Sequence, residues 1–246
     1  MRKLVYPALL ALAVAACSKA PDKAASAEDP AFKKQVVAYL SDHPEVIQEG
    51  INAYQDKQRV VVQAKAAKVI AERRQDIERD PHDFVANPDG KITVVEFFDY
   101  RCPYCKAALP QLRELIVANP DVRFVFKEFP ILPDADGKVG VSLRASEAAI
   151  AAGARGRYLQ VHDAMMSAKP LDDQGIAAAL KANGLDPALA SAEDGADHHI
   201  QQVRDLAQAI GASGTPTFIV GTQMIEGNRM DQLTAAIASA RKSAKG

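Results

Sequence analysis

The chain has 246 residues, of which 48% are hydrophobic, so it is long enough for one medium-sized domain with additional elements and a buried core. Its formal net charge of −1 gives no electrostatic reason to expect nucleic acid or another polyanion as a partner. Composition excludes little else, and the prediction therefore depends on local patterns.

Residues 1–16 have the layout of an export signal. Two basic residues precede an apolar run that is too short to span a bilayer comfortably. The run ends in Val-Ala-Ala-Cys17, which resembles the lipobox of bacterial lipoproteins. We therefore expect Cys17 to be lipidated, with ordinary signal cleavage as the alternative. Residues 17–29 are polar without an apolar period, which predicts a flexible tether.

Residues 30–80 predict a helical extension that is interrupted just before Pro44, a residue suited to the first turn of a new helix. The second helix meets no proline before Pro81 and could continue to Arg79. Small apolar residues recur in it every seven positions, as in a weak coiled-coil seam: Val46, Ala53, Val60 and Ala67. The pattern is compatible with self-association or with a helix that folds back on its own domain.

The stretch from Val94 to Cys105 combines a buried strand with a Cys-x-x-Cys pair that opens a helix. Unpaired N–H groups and the helix dipole stabilise an anion at a helix start, so Cys102 is the expected nucleophile. Cys105 lies one turn later, where it is more shielded and can resolve a mixed disulfide on Cys102. Pro103 and Tyr104, which separate the two cysteines, should tune the thiolate.

Glu96 lies at the centre of that strand, which has apolar residues on both faces. Burial should therefore raise the pKa of its carboxyl, and its position suits it to accept or return the proton of Cys105. The alternative role is a structural ion pair with a basic residue such as Lys127, and the two roles are compatible.

The remaining elements complete an α/β pattern. The helix after the cysteines leads to a strand over residues 122–127, which forms a β-α-β unit. Helical signals then fill residues 139–211. Two short strands, 217–220 and 223–226, are joined by the tight turn Gly221-Thr222 and followed by an amphipathic helix.

The histidines give no strong metal signal. His162 should be packed or hydrogen-bonded within its helix, while His198 and His199 are adjacent and point in different directions, which favours a solvated face. A zinc site at Cys102 and Cys105 would need two more ligands, and the sequence has no second Cys-x-x-Cys. We therefore predict no metal and no cofactor.

Three stretches, taken together and in this order, resemble the DsbA-type thioredoxin-fold disulfide oxidoreductases. They are Glu-Phe-Phe-Asp-Tyr-Arg-Cys-Pro-Tyr-Cys at 96–105, Phe-Lys-Glu-Phe-Pro-Ile-Leu at 126–132 and Gly-Thr-Pro-Thr-Phe at 214–218. The chain is most similar to the ScsC-like branch, whose members carry a helical N-terminal extension. The resemblance implies a thioredoxin fold over residues 81–246, with the helical insertion of the DsbA family at about 139–211.

The resemblance also implies an activity and its residues. Cys102 and Cys105 would form a redox-active disulfide in an enzyme that forms or isomerises disulfides in exported proteins. The bond between Thr215 and Pro216 would be cis and would present the Thr215 backbone beside Cys102, where an extended substrate segment can pair with it. Threonine before this proline resembles disulfide isomerases more than classical DsbA oxidases.

Partners and location follow from the same resemblance. ScsC-like proteins can use their extension as an oligomerising stalk, so we expect a homo-oligomer through residues 30–80. We further expect a periplasm-facing protein of the bacterial envelope, lipid-anchored to the outer membrane, with a membrane redox partner. The alternative is a copper(I)-binding envelope protein that uses the same cysteine pair, suggested by the copper-tolerance association of ScsC-like proteins and the softness of thiolates.

Overall fold

The structure is a computed structural model that describes residues 29–191 and 196–244. The predicted signal, the predicted lipidation of Cys17 and all of the predicted tether except residue 29 lie outside these residues. The chain divides into two compact units, one ending at Gln55 and the other beginning at Asp56. No helix in the described part of the chain is both long and apolar enough to cross a membrane.

The first helices are those of the predicted extension. Helix α1 spans Pro30–Asp42, and the Asp29 side chain accepts a hydrogen bond of 2.9 Å from the N–H of Ala31 at its start. Helix α2 spans Pro44–Glu72, so the break falls at His43 as predicted.

Helix α2 does not continue to Arg79, as the sequence analysis allowed, but ends at Glu72. A separate short helix, α3, spans Arg74–Glu78. One carbonyl at the end of α3 is bound by a side chain of the sheet, because the Lys127 ammonium donates to the carbonyl oxygen of Asp76 at 2.6 Å. The Lys127 side chain thus joins α3 to the sheet, a contact that a local helical pattern does not predict.

The sheet has five strands within the described residues, in the order β1-β3-β2-β4-β5. The strands are β1 (Phe84–Ala86), β2 (Ile92–Phe98), β3 (Val122–Glu128), β4 (Thr217–Val220) and β5 (Gln223–Glu226). Strands β2 and β3 are parallel, and the other neighbours are antiparallel. Strand β1 was not predicted, because three residues are too few to show an alternating pattern. The β4–β5 hairpin has the predicted two-residue turn, with Gly221 at a positive φ of 62°.

The other helices surround this sheet. They are α4 (Pro103–Ala118), α5 (Gly140–Gly153), α6 (Tyr158–Ser167), α7 (Asp173–Ala182), α8 (Ala196–Ile210) and α9 (Met230–Ser243). Helices α5 to α8, together with a 3₁₀ turn at Pro187–Ser191, lie between β3 and β4 and form the predicted insertion. Helix α4 continues through Pro110.

Hydrophobic cores cover both faces of the sheet. One core contains Val94 and Phe98 of β2, and the other contains Val95 and Phe97. Buried residues from α2 and α3 belong to the second core: Ala66, Ile70 and Ile77. The predicted domain start at residue 81 is therefore too late, because the preceding helices supply part of the core.

Candidate active site

The two cysteines lie where β2 leads into α4. Cys102 is the N-cap residue of the helix and Pro103 occupies its first turn. Both cysteines are free and buried, with Cys102 4% and Cys105 1% exposed, whereas Tyr104 between them is 65% exposed. The exposed residues of the motif are thus Pro103 and Tyr104, which lie between the two buried cysteines.

The environment of Cys102 favours its thiolate. A hydrogen bond from the Cys105 thiol is the largest cause that lowers the pKa of Cys102, which falls to about 6 although burial raises it. The Thr215 side chain and the backbone N–H groups of Cys105 and Tyr104 lower it further. Several weak donors at a helix start therefore outweigh the cost of burying the anion.

Cys105 has the opposite environment. Burial is the main cause that raises the pKa of its thiol far above the ordinary value, and the neighbouring Cys102 and Glu96 raise it further. At neutral pH, Cys105 therefore keeps its proton while Cys102 is largely ionised. The pair consists of one reactive sulfur and one sulfur that needs a base before it can react.

Glu96 is near enough to both cysteines to change their ionisation. Burial, then repulsion from Glu128 and Cys102, raises the pKa of the Glu96 carboxyl to about 8. Its Oε2 atom has no hydrogen-bond partner among the residues that the structure describes. The carboxyl can therefore hold or release a proton close to neutral pH, without a partner that fixes it in one state.

The alternative ion pair between Glu96 and Lys127 is wrong. In the parallel register Phe97 pairs with Lys127, so Lys127 faces the side of the sheet opposite Glu96. The Lys127 ammonium instead lies 2.5 Å from Asp83 Oδ2, and both side chains are almost completely buried. Lys127 therefore does not contact the cysteine site.

A cis bond between Thr215 and Pro216 brings the loop before β4 to the cysteines. This is the isomer expected from the resemblance. The Cys102 thiol donates a hydrogen bond of 3.1 Å to the Thr215 carbonyl oxygen, and the Pro216 carbonyl accepts one of 2.7 Å from the N–H of Gly227. A second cis bond, between Lys169 and Pro170, was not predicted.

A second buried acid, Glu128, lies on the same side of the sheet as Glu96. Its Oε1 atom accepts hydrogen bonds from the hydroxyls of Tyr158 at 2.6 Å and Tyr100 at 3.1 Å, and His162 Nδ1 lies 3.1 Å from the Tyr100 oxygen. Burial raises the pKa of Glu128 to about 8 and lowers that of His162 to about 3. The packed, hydrogen-bonded role predicted for His162 is confirmed, whereas the sequence analysis missed Glu128.

Asp99 directly follows the last residue of β2 and holds the turn before Cys102. Its buried carboxylate accepts hydrogen bonds from the N–H groups of Arg101, Ile131 and Leu132 at 2.8, 2.8 and 2.9 Å, and from the Ser142 hydroxyl at 2.9 Å. One side chain thus joins the active-site turn, the segment after β3 and the start of α5. The sequence showed no signal for this role, because the partners are distant along the chain.

The solvated face predicted for the two adjacent histidines is wrong for His199. Its side chain is buried, and its Nε2 atom lies 3.2 Å from Asp83 Oδ1, while His198 is exposed. The apolar face of α8, which includes Ile200 and Val203, packs inward and carries His199 with it.

Comparisons with known proteins agree with this geometry. The family of DSBA-like thioredoxin domains matches residues 93–238. The chain belongs to this family. The match covers more than half of the chain, including both cysteines and Pro216.

Solved structures of DsbA-like proteins share the fold. A thioredoxin-like oxidoreductase from Silicibacter pomeroyi is 36% identical with a TM-score of 0.63, and the alignment covers 69% of this chain and 98% of that one. ScsC from Proteus mirabilis is 27% identical with a TM-score of 0.63, covering 85% and 97%. The thiol-disulfide exchange protein α-DsbA2 from Wolbachia pipientis is 26% identical with a TM-score of 0.63, covering 72% and 96%. These similarities agree with the ScsC-like branch.

The curated relatives are longer proteins. The Na⁺/H⁺ antiporter NhaA 1 of Salinispora arenicola is 36% identical over 170 residues, which are 65% of this chain but 25% of that protein. The chain therefore spans about a quarter of the length of the curated relatives it matches.

Proposed function

We propose that this DsbA-like protein exchanges disulfides with cysteines of exported proteins through Cys102, with Cys105 as the resolving residue. The observation that supports this role most strongly is the opposite ionisation of the two sulfurs: the pKa of Cys102 is lowered to about 6, and that of Cys105 is raised. A thiolate is the form that attacks a disulfide. The cis bond before Pro216 also leaves the Thr215 backbone close to the attacking sulfur.

In the reducing direction, the Cys102 thiolate attacks one sulfur of a substrate disulfide, and the other substrate sulfur leaves as a thiolate. Cys105 then loses its proton to ionised Glu96 and attacks Cys102. This step forms the Cys102–Cys105 disulfide and releases the second substrate thiolate. In the oxidising direction the steps reverse, and protonated Glu96 returns the proton to Cys105. A pKa of about 8 suits Glu96 to both tasks.

Turnover assays test the proposal directly. Every variant would carry Cys17→Ser, so that Cys102 and Cys105 are the only cysteines. We expect Cys102→Ala to reduce insulin reduction and scrambled-ribonuclease refolding to background. Cys105→Ala should accumulate a mixed disulfide at Cys102. Turnover that survives Cys102→Ala would contradict the proposal, and tight copper(I) binding without turnover would favour the copper-binding alternative.

The ionisation of Cys102 has its own test. Because its pKa lies near 6, the rate of iodoacetamide alkylation should rise as pH increases from 5 to 7 and then level off. Cys105 should not react over this range. A midpoint near 8.5, the value of free cysteine, would contradict the assigned nucleophile.

We further propose that the chain self-associates through residues 30–80. Large apolar side chains of α1 and α2 are exposed in the single chain: Phe32, Val36, Val37, Tyr39, Ile47, Ile51, Tyr54, Val60, Val61 and Val62. In the remaining described residues the exposed large apolar side chains are Tyr104 and Val117. Such a concentration is typical of a surface that a partner covers.

Native mass spectrometry of paired variants tests this surface. Val60→Glu changes a seam valine that is 69% exposed, and Val117→Glu makes the same change at a valine of α4 that is 83% exposed. We expect the wild type and Val117→Glu to be oligomeric, and Val60→Glu to dissociate into smaller species. A monomeric wild type, or equal masses for both variants, would contradict self-association through this surface.

The location of the protein is part of the same proposal. The predicted export signal at residues 1–16 and the predicted lipidation of Cys17 support a periplasm-facing protein anchored to the outer membrane, where a membrane redox partner would reset the cysteine pair. The redox state of Cys102 and Cys105 in cells would separate the two directions, because oxidases rest oxidised and isomerases rest reduced. Incorporation of labelled palmitate that is lost in Cys17→Ser would test the anchor.

A further inference from the structure

A group of metal-ligating side chains lies away from the cysteines. Asp80 and His82 belong to the segment between α3 and β1, and His199 belongs to the first turn of α8. One potential ligand atom from each residue lies within 4.8 Å of the others. Two imidazoles and a carboxylate are a donor set that zinc uses in proteins.

The orientation of His199 leaves one ring nitrogen without a partner. Its Nε2 atom lies 3.2 Å from Asp83 Oδ1, and Asp83 is fully buried and paired with Lys127. Metal-binding histidines commonly donate their other N–H to a carboxylate, which fixes the tautomer, and Asp83 is the carboxylate that lies beside Nε2 of His199. The lone pair of His199 then lies on Nδ1, an atom that is buried and has no hydrogen-bond partner among the described residues.

The free nitrogen faces Asp80. His199 Nδ1 and Asp80 Oδ2 are 3.6 Å apart, which is too long for a hydrogen bond. Two ligands bound at about 2.0 to 2.2 Å to one tetrahedral zinc ion lie roughly 3.4 Å apart, so the separation matches a shared metal ion. His82 is aligned on the same carboxylate, because its Nδ1 atom lies 2.9 Å from Asp80 Oδ1.

We propose that Asp80, His82 and His199 bind one Zn²⁺ ion, with Asp83 and Lys127 holding His199 in the binding tautomer. The His82 side chain is 67% exposed, so an ion can enter from solvent and keep a water molecule as its fourth ligand. The ion would join the segment before β1 to the last helix of the insertion. This function is independent of disulfide exchange, because it uses neither cysteine.

Zinc titration of the full chain after removal of any affinity tag tests the proposal. The protein would be used with Cys102 and Cys105 oxidised to their disulfide, so that no thiolate competes for the ion. We expect one zinc ion per chain by competition with a chromogenic chelator. The melting temperature should rise by about 5 to 10 °C with free zinc at 100 times Kd. Cobalt(II) should give the intense visible absorption of a four-coordinate ion.

Three histidine variants make the assignment specific. His82→Ala changes an exposed side chain and should fold normally, yet weaken zinc binding by about 10- to 100-fold or more. His199→Ala should do the same, whereas His198→Ala, an exposed neighbour on the same helix, should bind like the wild type. Absence of stoichiometric binding, or equal affinity in His82→Ala and the wild type, would overturn the proposal.

Discussion

Lys127 and Glu128 are neighbours on β3, yet they point to opposite faces of the sheet and are buried in different ways. The Lys127 ammonium lies 2.5 Å from Asp83 Oδ2 and donates a hydrogen bond of 2.6 Å to the Asp76 carbonyl oxygen. The Glu128 carboxyl instead accepts hydrogen bonds from the neutral hydroxyls of Tyr158 and Tyr100. On the first face, a buried charge is stabilised by an opposite charge. On the second face, the buried Glu128 carboxyl avoids ionisation because its raised pKa keeps it protonated at neutral pH.

The difference separates scaffold from chemistry. The ion pair of Lys127 and Asp83 lies on the face of the sheet opposite Glu96 and is a structural contact. Glu96 and Glu128 share the other face, and burial raises the pKa of both carboxyls to about 8. Among the described residues of β2 and β3, the two carboxyls with a pKa near neutral therefore lie on the face that carries the cysteines.

Breaking the ion pair should have the largest effect. Lys127→Met leaves Asp83 as an uncompensated buried charge, and we expect it to lower the free energy of unfolding by about 3 to 5 kcal/mol. Chemical denaturation would measure the loss. Lys91→Met, at an exposed lysine, is the control and should change stability little. An equal decrease in the free energy of unfolding in both variants would show that the buried ion pair stabilises the fold no more than an exposed lysine does.

On the acidic face, the effect should depend on pH. A carboxyl whose pKa is about 8 in the folded chain and 4.5 unfolded stabilises the fold below pH 4.5 and loses that contribution as pH rises towards 8. Wild-type stability should thus fall by about 3 kcal/mol more than that of Glu96→Gln between pH 5 and pH 8. Denaturation of the oxidised proteins, in which no thiol titrates, would measure the difference. Parallel pH profiles would show that Glu96 is not protonated by burial.

Glu96→Gln should also slow one chemical step. Because glutamine cannot take the proton of Cys105, resolution of the mixed disulfide should be about 100-fold slower, within the usual range for general base catalysis. The first attack by Cys102 should be nearly unchanged. Stopped-flow measurement of both phases with a model disulfide would separate them. A slower first phase with an unchanged second phase would show instead that Glu96 assists the attack by Cys102.

The smallest effect should come from one hydroxyl. Tyr158→Phe removes the 2.6 Å hydrogen bond to Glu128, and we expect a loss of about 1 to 2 kcal/mol in the free energy of unfolding, with the Glu128 pKa raised further. Tyr104→Phe, at a residue that is 65% exposed, is the matched control for stability. Carboxyl titration followed by NMR would report the pKa. An unchanged pKa would show that the Tyr158 hydroxyl does not stabilise the ionised form of Glu128.

The two faces also differ in how far the sequence predicts them. The position of Cys102 at a helix start and the burial of Glu96 follow from local patterns, and the structure contains both. The partner of Lys127 does not follow, because only the strand register decides which face Lys127 occupies. The same limit explains His199, whose partner Asp83 is distant along the chain. The local pattern of apolar residues predicts burial and helix ends. Contacts between segments that are distant along the chain depend on the strand register, which the local pattern does not give.

The helix start at Cys102 has a consequence for the direction of electron flow. It stabilises the anion of the reduced chain, and that stabilisation disappears when both sulfurs enter a disulfide. With the pKa of Cys102 near 6 rather than 9, the gain for the reduced form at pH 7 is about 1.4 kcal/mol, or roughly 30 mV of reduction potential. The hydrogen bond from the Cys105 thiol and the N–H groups at the helix start together therefore make the oxidised chain a stronger electron acceptor, by an amount that depends on pH.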